Sequence, residues 1–158
     1  LFRSQRQEIR ELFERQGVLS PVELESRYEV YSEQYILAIE VESRLVLRIA
    51  RTQIYPAVTQ FLERLCRSLR DQEELGLAPD RSVASQAAAL NRQLLEHCTA
   101  LEQSLQHPPH DGHGHLHHCA GTLLPLMGQI RAAVDGLEAV VDDDLWPLPT
   151  YQELLFVR

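Results

Sequence analysis

The stretch SPVELESRYEVYSEQYILAIEVESRLVLRIARTQIYPAVTQFLERLCRSLRDQEEL, residues 20–75, decides the fold class. It opens with Ser20-Pro21-Val22-Glu23. Ser20 is placed to cap free backbone N–H groups, Pro21 suits the first helical position, and Glu23 completes a capping box. From there Tyr28, Tyr31, Tyr35, Ala38, Leu45, Ile49, Val58, Phe61, Leu65 and Leu69 keep largely to three- and four-residue steps, the spacing of one helix face. Glu40→Arg44 and Glu63→Arg67 add supporting i,i+4 pairs, each worth about 0.2–0.5 kcal/mol. Pro56 has no N–H to donate, so a kink is expected near residues 52–55. At ~1.5 Å per residue the element would run roughly 80 Å, more than a compact domain of this size can cover.

Outward from this helix the chain keeps the same character. Residues 1–16 are charged and helix-prone, with Leu1, Ile9, Leu12 and Phe13 as a modest apolar face, and Gly17 stands in the C′ role. Downstream, Asp80 or Ser82 can cap a helix over 82–106, whose seam is Val83, Ala87, Leu90, Leu94, Cys98, Leu101 and Leu105. A Pro-His-Gly loop is expected at 107–114. A last helix over 115–142 carries Leu116, Cys119, Leu123, Leu126, Ile130, Val134, Leu137 and Val141, with Pro125 expected to bend it. No period-two run survives this reading. The expected fold is all-α: a short N-terminal helix and turn (1–19), a three-helix bundle (20–144) built from a kinked helix over 21–75 and two long antiparallel helices, and an extended tail (145–158). The first leg of the long helix, 21–50, finds no partner of matching length. Tyr28, Tyr31, Tyr35, Ile36, Ile39 and Leu45 are therefore expected to form an uncovered surface.

Composition narrows function. The chain has 158 residues, 44% of them hydrophobic, and a formal net charge of −8. That acidity argues against nonspecific nucleic-acid binding. No apolar run approaches the ~20 residues of a membrane span, and no secretory leader opens the sequence. All fifteen basic residues are arginines, which excludes Schiff-base chemistry and a Walker-type phosphate loop, both of which need Lys. Cys66, Cys98 and Cys119 are too few for a disulfide framework and read as buried, inert thiols of a cytoplasmic protein. The opening at Leu1, without Met, leads us to expect a piece of a longer polypeptide.

Three clusters bear on chemistry. Six of the seven histidines fall in His107-Pro-Pro-His110-Asp-Gly-His113-Gly-His115-Leu-His117-His118, just before Cys119. Imidazoles and a thiolate suit Zn, Ni or Cu, which makes His113, His115, His117, His118 and Cys119 candidate metal ligands. The first reading is adventitious binding by a solvated loop; a dedicated metal site and a pH-sensitive loop stay open beside it. Arg44, Arg48 and Arg51 form a basic stripe that reads first as salt bridges, with phosphate binding as the alternative. Glu138, Asp142, Asp143 and Asp144 read as a solvated acidic helix end, with docking against an arginine as the sharper reading. No nucleophile, base and orienting group stand together, so no catalytic residue is assigned.

Two stretches carry a resemblance. Glu23-Leu-Glu-Ser-Arg-Tyr-Glu29 with Ile49-Ala-Arg-Thr-Gln-Ile-Tyr-Pro-Ala-Val58 resembles the segment that leaves the catalytic body of type III glutamine synthetases. Leu145-Trp-Pro-Leu-Pro-Thr-Tyr-Gln-Glu-Leu-Leu-Phe156 resembles the closing tail of the same enzymes. Leu126-Met-Gly-Gln-Ile-Arg131 and Val134-Asp-Gly-Leu-Glu138 fall between them in the family's order. The His-rich stretch is outside that pattern. The resemblance implies a parent ligase of nitrogen metabolism that makes glutamine from glutamate, ammonia and ATP with Mg or Mn, as a ring oligomer. None of its catalytic or cofactor-binding residues falls here. The segment's partners would then be the catalytic body of the same polypeptide and neighbouring subunits, met by Tyr28, Tyr31, Tyr35, Trp146, Tyr151 and Phe156. A freestanding helical scaffold or regulatory module, or a His-rich metal-binding module, remains the alternative.

Overall fold

The structure, a computed structural model, describes residues 7–109, 111–149 and 155. Among these the fold is all-α, without strands. Helix α1 is Gln7–Arg15. Next comes α2 (Pro21–Ile49), a π-helical segment π1 (Ala50–Ile54) and α3 (Tyr55–Glu74), together one 54-residue rod. After a loop, α4 spans Ser82–Gln106. Then α5 (Gly112–His118), a second π segment π2 (Cys119–Leu123) and α6 (Leu124–Glu138) form a 27-residue rod.

The local signals act as the sequence implies. Ser20 Oγ accepts from the Glu23 N–H at 3.3 Å, and Glu23 Oε2 accepts from the Ser20 N–H at 2.8 Å, closing the capping box. Gly17 and Gly76 end their helices at φ 63° and 75°, a region that only glycine enters without strain. Asp80 accepts from the Ser82 N–H at 2.8 Å at the start of α4. The expected interruption takes the form of a π-helical segment. In both rods the π segment ends two residues before a proline, Ile54 before Pro56 and Leu123 before Pro125. A wider turn moves the preceding carbonyls away from the pyrrolidine ring and absorbs the missing N–H.

The three rods run up, down and up. The first and last are parallel: Tyr28 lies by His113, Ser43 by Met127 and Arg64 by Asp142. The middle rod is antiparallel to both, pairing Arg51 with Glu102 and setting Leu90 beside Gly136. The core is continuous along this axis through Ile39, Leu47, Ile54, Val58 and Phe61, with Leu94, Leu101, Leu123, Ile130 and Leu137 opposite. Ser43, fully buried, donates its hydroxyl to Met127 Sδ at 3.1 Å, so the one polar side chain at that level is satisfied.

Several expectations need correction. The stretch 107–114 is a loop only to Asp111. Gly112 already begins the last rod, because Asp111 accepts from the Gly114 N–H at 2.6 Å and caps the helix start despite two glycines. That rod ends at Glu138 instead of 142. The first leg of the long helix is also not bare. Helix α5 and π2 pack along α2, which puts Ile39 in the core with Tyr35 and Ile36 against it. Cys66 is exposed, whereas Cys98 and Cys119 are buried.

Candidate functional site

The His-rich helix start is held against α2, and its side chains divide by helical angle. His115 Nε2 lies 3.0 Å from Glu40 Oε1 on α2. His118 Nε2 is 3.1 Å from the Ser104 carbonyl, which only accepts, so that nitrogen carries the proton. Cys119 is completely buried, and burial first, then the Glu40 carboxylate, pushes its thiol up from the ordinary range. His113 and His117 point the other way. Their Nε2 atoms are 3.2 Å apart and their rings meet edge to face with centroids at 4.7 Å. Tyr28 Oη sits 3.4 Å from His113 Nδ1. The five candidate ligands therefore do not converge. Among the described residues no three His, Cys, Asp or Glu side chains are grouped to hold a metal ion.

Arg44 and Arg51 of the basic stripe, and Asp142 and Asp144 of the acidic cluster, form ion pairs. Arg51 grips Glu102 with both ends of its guanidinium, at 2.8 and 2.7 Å, which holds the Glu102 carboxyl below the usual carboxylate range. Arg44 pairs with Glu40 at 3.1 Å. Arg64 reaches Asp142 at 3.4 Å and Asp144 at 3.2 Å, so the acidic end is docked on an arginine and not merely solvated.

The tyrosines and the tail behave differently from one another. Tyr31 is exposed, Tyr28 half-buried beside His113, and Tyr35 packed on the core. Trp146 is half-buried and packs with Leu148 on the bundle itself. Tyr151 and Phe156 lie outside the described residues. Two surfaces escaped the sequence reading. One is an apolar groove of about 640 Å³ lined by Val46, Ile49, Met127, Val134, Trp146 and Leu148. The other is a stripe along the back of α2, of which only Leu45 was expected to be uncovered: Val30, Leu37, Val41 and Leu45 are 48%, 64%, 56% and 52% exposed. Their steps of seven, four and four keep them on one face, opposite Ser32, Ile39 and Ser43, which are buried. Apolar residues on both faces of 30–45 were the available signal.

A family comparison matches residues 1–73 to the glutamine synthetase C-terminal domain. Curated relatives extend the likeness past residue 73. A glutamine synthetase of Bacteroides fragilis (strain YCH46) is 28% identical over 153 residues, covering 89% of this chain and 21% of its own length. The Type-3 glutamine synthetase of Dictyostelium discoideum is 27% identical over 157 residues, covering 93% and 21%. A glutamine synthetase of Butyrivibrio fibrisolvens is 27% identical over 161 residues, covering 92% and 22%. The chain thus spans about a fifth of the length of these relatives. No helix among the described residues is long and apolar enough to cross a membrane.

Proposed function

We propose that this chain is the non-catalytic, C-terminal helical portion of a type III glutamine synthetase and that it serves subunit packing and oligomer assembly. The parent would ligate ammonia to glutamate with ATP and Mg or Mn in the cytoplasm, and every group for that reaction would lie on its catalytic body. The observation that carries the assembly role is the α2 stripe. A helix that buries one face in its own bundle has no need of Val30, Leu37, Val41 and Leu45 on the other. Covering a Val or Leu side chain fully is worth about 1.5–3 kcal/mol, so four in a row make a substantial docking edge. It lies within the segment that matches the family.

The test is Leu37→Glu with Val41→Glu in the full-length polypeptide, read by light scattering for mass and by circular dichroism for helix content. The expected result is a smaller assembly with helicity retained. An unchanged assembly mass would sink the packing role.

A further inference from the structure

We propose that the His113–His117 pair is a bidentate site for a borderline divalent transition cation such as Zn, braced by Tyr28 of the neighbouring rod. The pair sits one turn apart on a helix whose start is fixed by Asp111 and whose inner face, Leu116 and Cys119, is buried. The two rings are therefore positioned by structure and not by a wandering loop. Zn–N bonds of about 2.0–2.1 Å at a tetrahedral angle place two ligand nitrogens about 3.4 Å apart. The Nε2 atoms stand at 3.2 Å, so each ring needs to give only a little to take the cation between them.

The tautomers follow from the partners. With His113 Nδ1–H donating to Tyr28 Oη at 3.4 Å, the Nε2 lone pair of His113 faces His117. Without metal, His117 Nε2–H donates to that lone pair. On binding, His117 takes its other neutral tautomer and both Nε2 lone pairs meet the cation. Two imidazoles suit Zn or Cu better than Mg or Ca, which prefer oxygen ligands. His115 Nε2 lies against Glu40 and His118 Nε2 is hydrogen-bonded to the Ser104 carbonyl, so both are apart from the pair.

The probe is Zn(II) alone, titrated into the full chain against a competing chromophoric chelator, and this test is independent of the glutamine synthetase reading. His113→Ala and His117→Ala are each expected to remove one equivalent or weaken it by about tenfold or more. Tyr28→Phe is expected to weaken it by about tenfold, the range of losses when a ligand's supporting partner is removed. His107→Ala, whose ring nitrogen lies 3.0 Å from the Gln103 carbonyl, is the control and should bind as the parent does. Equal Zn binding by His113→Ala and His117→Ala, or losses of the same size in His107→Ala, would overturn the site. Unchanged affinity in Tyr28→Phe would overturn the bracing. All four positions are at least partly exposed, and unchanged far-UV circular dichroism will show that the variants fold.

Discussion

Burial separates the three cysteines more sharply than their sequence context does. Cys98 is enclosed in the core, and burial is the main cause of its raised thiol pKa; Cys119 is equally enclosed, while Cys66 faces water. A disulfide reagent should therefore titrate one thiol in the native protein and three in guanidinium chloride. Two or more fast thiols in the native state would contradict the packing around α4 and π2. Glu102 gives a pH-dependent counterpart. Arg51 lowers its folded pKa, so the stabilisation is fully present above the unfolded carboxylate value of about 4.3 and is lost as pH falls through the folded value. Glu102→Gln should be less stable than the parent near neutrality and converge with it at low pH, as followed by urea unfolding across that range.

At the scale of elements, the glycines of the last rod have opposite meanings. Gly128 lies in α6 with open space where a Cβ would go. Gly128→Ala should therefore stabilise by about 0.5–1 kcal/mol through helix propensity alone, a rise in melting temperature of a few degrees. A Cβ on Gly136 would stand 3.2 Å from both Leu90 methyls, where α4 and α6 approach closely. Gly136→Val should cost about 1–3 kcal/mol by overpacking. Differential scanning of the two variants should show shifts of opposite sign. The helix start at Asp111 is a third case. Asp111→Ala removes the acceptor of the Gly114 N–H and should cost about 1 kcal/mol, fraying the turn that holds His113.

Over the whole molecule, the π segments lie where the rods meet. Ile54 in π1 is fully buried in the common core, and π1 contacts both α4 and α6. Ile54→Ala should destabilise by about 2–5 kcal/mol, because rods pinned on two sides cannot collapse into the cavity. Urea unfolding with an unchanged slope would check it, and a loss under about 1 kcal/mol would show that the rods slide to fill the space. The parallel placement of the first and last rods leaves the start of α2 reaching past the bundle. There α1 touches it through Arg10 and Glu25 at 2.8 Å, and the apolar stripe begins beyond that contact, at Val30.

The sequence alone determined the helical class, the helix stop at Gly17, the capping box at Ser20, the two i,i+4 pairs and the interruption ahead of Pro56. Each depends on residues within about one or two turns of each other, and helix periodicity and cap chemistry act over that range. The helix at 112–118 was not legible in the same way. Two glycines and nearby prolines favour a loop locally, and it takes Asp111 capping together with burial of Leu116 and Cys119 beside α2 to outweigh them. Only the tertiary structure chose Glu102 for Arg51 and Asp142 with Asp144 for Arg64, kept Cys66 in water, and turned one histidine pair away from the others. Those outcomes depend on which faces of distant helices meet, a choice made by burying the shared core and not by any spacing along the chain.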